Sequence, residues 1–311
     1  MMLTSATPRP AVAWDETACP LCGRRAAESV LEAPDAIARP GLWFAVVRCN
    51  HCQLHYTNPR PSSDCIGQFY PPGYKPHRRP QKIRHAGRQS FWSRWTGRDC
   101  PERRGQLPWT GPGRLLDFGC GGGSYLQRLA EKGWHVTGLD TAVGAAKEIR
   151  ERLGLRALTG TLPHPELEPG SFDVITMWHS LEHVHDPQAI LRAAFDLLQP
   201  GGKLIVACPN IESLPFRWFG SSWFALDLPR HLTHFAPGTL RDMLQACGYT
   251  VENVRLYRHS DWLRSSARLA VARGGALPWQ RLLLAKPVAR VLAGYAWLMG
   301  ASDCMMAVAR R

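Results

Sequence analysis

No stretch of about 18 or more uninterrupted apolar residues occurs in the 311-residue chain, so no membrane-spanning helix is expected. The nearest approach, Pro287 to Ala301, is too short and carries Arg290. The opening residues MMLTSATPRPAVAW lack an apolar segment between a basic start and a small-residue cleavage site. No secretory signal is read there, and the chain is expected in the cytoplasm. Acidic residues are few beside basic ones, 25 against 38, giving a formal charge of +13. That balance admits nucleic acid, an anionic membrane surface or an anionic small molecule as partner without choosing among them. With 45% hydrophobic and 20% charged residues, the length suits one large core and a small satellite, not a disordered chain. Cysteine is not scarce, and ten of them in a reducing compartment point to metal ligation or buried thiols, not disulfides.

Four of those cysteines form two knuckles, Cys19-Pro-Leu-Cys22 and Cys49-Asn-His-Cys52. Two C-x-x-C pairs can close a tetrahedral zinc site, and four thiolates leave no open position, so a structural Zn2+ held by Cys19, Cys22, Cys49 and Cys52 is expected. His51 and His55 are nearby replacements that complete cysteine pairs make unnecessary. Gly23 after the first knuckle and a strand-like Leu42 to Arg48 suit a zinc ribbon.

The rest of the chain is organised around RLLDFGCGGGSYLQRLAEKGWHVTGLD, Arg114 to Asp140. A short apolar run breaks into Gly119, Gly121, Gly122 and Gly123, helical spacing follows, and a second strand, His135 to Leu139, ends in Asp140. A strand, a glycine turn, a helix and an acidic end of the second strand make a nucleoside-binding unit, with Asp140 on the ribose hydroxyls. The third glycine falls one place too early for the dinucleotide pattern. Asp117, just before the turn, would repel a pyrophosphate but could hold an ammonium group.

This D-x-G-x-G-x-G pattern resembles motif I of the class I, seven-stranded S-adenosylmethionine-dependent methyltransferases. The resemblance implies an α/β fold, a doubly wound seven-stranded Rossmann-like sheet with a small N-terminal zinc ribbon. It also implies S-adenosyl-L-methionine as cofactor, bound by Asp117, Gly119, Gly121, Gly123, Asp140 and Trp178. Family members usually offer the adenine amine an acid after the third strand; none stands here, so Thr161 or a backbone group takes that place. The order of two knuckles, Tyr56-Thr-Asn-Pro-Arg-Pro61, Phe69-Tyr70 and then the core is similar to zinc-containing methyltransferases of bacterial sugar and polysaccharide pathways. The sugar C-methyltransferases among them carry a further large C-terminal domain for which this chain has no room.

Ligands of a doubly wound sheet sit beyond the carboxyl ends of its strands. Trp178-His-Ser-Leu-Glu182-His183, after strand four, should therefore face the reacting group. His179 is a candidate general base, or a loop residue with no such role; Glu182 and His183 are read first as helix-capping and loop-fixing groups. After strand five, an aromatic loop leads to Asp227-Leu-Pro-Arg230-His231-Leu-Thr-His234-Phe235. Arg230 is expected to bind an anionic acceptor beside His234, with His231 as base, or else both fix the loop. Tyr70 and Tyr74 flank the acceptor's entry or serve as packing aromatics.

Four segments result: a zinc-ribbon-like region at 1–60, a basic linker or cap at 61–105, the cofactor-binding core at 106–260, and a helical insertion with the final strand at 261–311. The expected function is methyl transfer to a small anionic acceptor, such as a nucleotide-linked sugar or polysaccharide intermediate, at O or C. The alternatives are an RNA methyltransferase, against which stands the lack of N-P-P-Y, D-P-P-Y and Pro-Cys motifs, and a non-enzymatic zinc-containing binding protein on this scaffold. Attachment of the C-terminal helices to a membrane surface is a lesser reading.

Overall fold

The structure, a computed structural model, describes residues 11–39, 41–71 and 107–311. Tyr74 and the basic run from Lys75 to Arg104 lie outside the described residues.

The core sheet has seven strands, labelled here β1 (Arg114–Phe118), β2 (His135–Asp140), β3 (Arg156–Thr159), β4 (Phe172–Trp178), β5 (Leu198–Pro209), β6 (Thr250–Tyr257) and β7 (Cys304–Arg310). Their order across the sheet is β6-β7-β5-β4-β1-β2-β3. The strands β3, β2, β1, β4 and β5 run parallel, and β7 lies antiparallel between β5 and β6. The chain order reverses between β1 and β4, which opens a crevice at their carboxyl ends.

Successive residues of each strand face opposite sides, so an apolar run buried on both faces serves two cores. Leu116, Ile175 and Val206 pack with Ile190, Leu191, Leu240 and Leu244 on one side. Their neighbours Leu115, Val174 and Ile205 pack with Tyr125, Leu126 and Ile149 on the other. The helices that supply those residues are α1 (Ser124–Ala130), α2 (Val143–Glu148, continued to Leu153 by a wider turn), α3 (Pro187–Leu197) and, after the short α4 (Leu214–Phe219), α5 (Pro237–Ala246). Pro200-Gly201-Gly202 makes a register shift inside β5.

Between β6 and β7 lie α6 (Ser260–Ala272), α7 (Pro278–Leu282) and α8 (Lys286–Leu298). A third apolar cluster joins Leu263 and Ala267 of α6 to Phe219 and Trp223 of the aromatic loop and to Phe44 and Phe69 of the N-terminal part.

That N-terminal part is an antiparallel sheet of Ala27–Pro34, Trp43–Cys49 and His55–Thr57. Its fourth strand, Thr233–His234, comes from the loop after β5 and pairs with His55 and Tyr56. Gln188 of α3 donates to the carbonyls of Pro20 and Leu21, at 2.9 and 2.8 Å, holding the first knuckle on the core.

Candidate active site

The glycine turn shows why glycine is needed there. Gly119, Gly121 and Gly123 have φ of 76°, 51° and 72°, left-handed values that side chains disfavour. A Cβ on Gly119 would stand 2.6 Å from the Cβ of Ser180, and one on Gly123 would stand 2.6 Å from Ile149 Cγ1. Ser180 Oγ donates to the Phe118 carbonyl at 2.9 Å, so the turn after β4 is bonded to the end of β1.

Asp140 ends β2 with both carboxylate oxygens fixed by backbone donors, Gly121 N–H on Oδ2 and Ala142 N–H on Oδ1, each at 2.8 Å. Each oxygen keeps a further lone pair, which suits two vicinal hydroxyls. Asp117 is buried, and its Oδ1 accepts from Thr176 at 2.7 Å. Trp178, at the end of β4, packs edge-on against Tyr125, with its Nε1–H buried and without a hydrogen-bond partner among the described residues. Thr161 stands exposed just past the end of β3. These groups line one carboxyl edge and fit a nucleoside with a polar tail.

The turn after β4 gathers titratable groups. His179 has φ of 53°, unusual for a side-chain-bearing residue, and its backbone N–H donates to Ala207 O at 2.8 Å. Its Nδ1 is 3.4 Å from Glu182 Oε1, and its ring meets Trp262 of α6 at 5.2 Å. The Glu182 carboxylate is buried, and neither oxygen has a hydrogen-bond partner among the described residues. Glu182 does not cap α3; Asp186 does, accepting from Ala189 N–H at 2.9 Å.

His231 Nδ1 lies 2.9 Å from the Ala225 carbonyl, which can only accept. The proton is therefore on Nδ1, and the Nε2 lone pair faces Glu182 Oε1 at 4.0 Å. Burial, with His183 and His234 nearby, holds His231 neutral, far below the usual histidine range. His183 fixes the loop as expected, with Nδ1 3.0 Å from the Arg230 carbonyl and 3.1 Å from the Tyr70 hydroxyl. Burial pushes the Tyr70 phenol up. Glu182, His183 and His231 thus bring ligand-type atoms within 4.8 Å of one another. Behind them Asp303, at the start of β7, is wholly buried and pushed up to about 8 by burial, with His179 partly offsetting it. Nothing around Asp303 in the sequence signalled that position.

Two expected acceptor-binding residues are elsewhere. Arg230 is fully buried: Nη1 bonds Asp35 Oδ1 and Phe69 O, each at 3.0 Å, while Nε and Nη2 bond Asp227 Oδ1 at 3.0 and 2.7 Å. A guanidinium so enclosed cannot grip an acceptor anion; it ties the N-terminal sheet to the loop after β5. His234 is buried with Nε2 3.1 Å from Thr57 Oγ1, whose own proton goes to His231 O, so it too holds the loop instead of lining an entry.

The four knuckle cysteines come together, with Cys19 Sγ 3.4 Å from Cys52 Sγ, Cys22 Sγ 3.5 Å from Cys49 Sγ, and all four within 4.8 Å. These separations exceed a disulfide bond, about 2.05 Å. They match four sulfurs about 2.3 Å from one zinc, whose tetrahedral edges are roughly 3.8 Å. The donor set fits zinc.

A seven-stranded sheet with a glycine turn, an acidic second strand and a His-Glu-His turn at one edge defines an S-adenosylmethionine-dependent methyltransferase, an enzyme of the Rossmann-like class. The family profile described as a methyltransferase domain matches residues 88–254, and the chain belongs to that family. Among curated relatives, a ubiquinone biosynthesis O-methyltransferase of Xanthomonas euvesicatoria is 35% identical over 169 residues, half of this chain and 70% of that protein. Its counterpart in Xylella fastidiosa is 33% identical over half of this chain and 68% of its own length. A solved S-adenosylmethionine-dependent methyltransferase of Mesorhizobium loti is 21% identical, covering 68% of this chain and 95% of that one at a TM-score of 0.46. No helix among the described residues is long and apolar enough to cross a membrane.

Proposed function

We propose that the enzyme methylates a hydroxyl oxygen of a small-molecule acceptor, with Glu182 as the proton-accepting centre and His179 and His231 flanking it. The observation that carries this reading is the buried Glu182 carboxylate, whose two oxygens have no hydrogen-bond partner among the described residues and which faces the lone pair of His231. A buried carboxylate whose oxygens accept no hydrogen bond from the described residues calls for a donor, and an acceptor's O–H supplies one. Relatives named for O-methylation support oxygen over carbon or nitrogen.

Asp140, Asp117, Gly119, Gly121, Gly123, Trp178 and Thr161 would hold S-adenosylmethionine, which when bound supplies an electrophilic methyl group on a sulfonium. Glu182 takes the hydroxyl proton as the oxygen attacks, and neutral His231 orients that hydroxyl without competing for the charge. Tyr70, tethered to His183, stands on the acceptor side. A nucleotide-linked sugar remains one candidate acceptor, but any anion must be held by groups other than Arg230. Zn2+ in the cysteine cluster would be structural.

The same Glu182, His183 and His231 atoms are spaced for a divalent cation, which would serve the same hydroxyl. A methyl-transfer screen against phenols, diols, nucleotide-linked sugars and RNA, with and without chelator and added magnesium, tests the proposal. Methylation of a hydroxyl that is lost in Glu182→Gln supports it. Preferential methylation of RNA bases, or full activity in Glu182→Gln, would overturn it.

A further inference from the structure

The helices between β6 and β7 are turned the wrong way round for a protein surrounded only by water. In α8, Ala289, Ala293 and Ala296 are buried, packed toward α6 and its neighbours. On the opposite stripe, at helical spacing, stand Val291, Tyr295 and Leu298, of which Val291 is 70% and Leu298 76% exposed. The fully buried positions of α8 are thus alanines, with Val288 and Leu292 partly buried beside them, while large apolar side chains also face out. The preceding α7 adds Leu282, 62% exposed, and the partly exposed Trp279. Isolated exposed apolar residues need no explanation, but a contiguous set of this kind marks a contact surface.

The charge pattern says what the surface meets. No Asp or Glu occurs between Asp261 and Asp303, while Arg264, Arg268, Arg273, Arg281, Lys286 and Arg290 do. Arg281, Lys286 and Arg290 are exposed beside the apolar stripe. Nucleic acid would use the cations but not large aliphatic side chains. A second copy of the chain would bring like charge against like charge across a symmetric contact. An anionic bilayer surface uses both: acyl chains cover Val291, Leu298 and Leu282, Trp and Tyr suit the headgroup level, and the basic side chains meet lipid phosphates.

We infer that α7 and α8 form a peripheral docking face for anionic membrane surfaces, lying on the bilayer and not crossing it. The docking face packs on α6, the helix whose Trp262 meets His179, so it lies next to the helix that borders the active site.

The test is co-sedimentation of the full chain with vesicles of phosphatidylcholine alone and of phosphatidylcholine containing phosphatidylglycerol. The expected result is binding to the anionic vesicles, weakened by salt and much weaker on the neutral ones. Each basic side chain at such a surface adds about fivefold to partitioning, so Arg281→Glu with Arg290→Glu should cost more than tenfold. Val291→Glu with Leu298→Glu, and independently Leu282→Glu, should weaken partitioning while leaving the melting temperature and S-adenosylhomocysteine affinity unchanged. The inference is overturned if anionic vesicles do not bind the wild-type chain, or if binding is indifferent to these variants. It is also overturned if light scattering without lipid shows a dimer that Val291→Glu with Leu298→Glu converts to monomer.

Discussion

Glutamine in place of Glu182 keeps the side chain's shape but removes its charge and one accepting oxygen. Turnover should fall about a hundredfold to ten-thousandfold, as for loss of a general base, with S-adenosylhomocysteine affinity unchanged by calorimetry. At Arg230, alanine would strand the buried Asp35 and Asp227 carboxylates. Removing one partner of a buried ion pair costs about 3–5 kcal/mol, so urea denaturation should show a large loss. Normal stability with a raised acceptor KM would instead restore Arg230 as an acceptor ligand. His234 is held at about 3 by burial, with His55 adding to the effect, against an ordinary 6.5. The unfolded chain takes up a proton that the folded one refuses, so this site's contribution is full above about pH 6.5 and is lost as pH falls toward 3. His234→Gln should therefore flatten the decline of melting temperature between pH 7 and pH 4. Arg230 and His234 look like site residues in the sequence because burial is not a local property: the partner Asp35 lies 195 positions away. The Glu182–His183 doublet was visible after strand four, but only the fold shows that the carboxylate has no hydrogen-bond partner among the described residues.

The elements of the core were legible because each has its own punctuation. A glycine turn closes β1, and the apolar runs of β1, β4 and β5 are long enough to be buried on both faces. Thr233–His234 was not legible, since two residues carry no periodicity and their partner strand lies in another segment. The glycine turn can be tested as an element: Gly119→Ala must push back Ser180 and with it the turn bearing His179 and Glu182. Both S-adenosylhomocysteine binding and turnover should fall in that variant, measured by calorimetry and by methyl transfer. An alanine accommodated without loss of either would show that the close approach of β1 and the turn after β4 is not required.

At the scale of the whole molecule, the cysteine cluster and the active site are coupled through shared elements, because the N-terminal sheet is completed by the loop that carries Arg230 and His231. Stripping zinc with a chelator, or Cys49→Ser, should lower turnover and loosen residues 11–71 to proteolysis while leaving S-adenosylhomocysteine affinity largely intact, since no cofactor-edge residue comes from that sheet. Elemental analysis of the wild-type chain should find close to one zinc per molecule. If the carboxyl edge of β1, β2 and β4 is the cofactor site, one measurement shows it without knowledge of the acceptor: calorimetric titration of S-adenosylhomocysteine into the wild type, Asp140→Ala and Glu182→Gln. The account predicts saturable binding at one site per wild-type chain, affinity at least tenfold weaker in Asp140→Ala, as expected for lost hydrogen bonds to a charged group of about 1.5–3 kcal/mol, and unchanged affinity in Glu182→Gln. Equal affinity in Asp140→Ala and wild type, or no binding by the wild type, would contradict it.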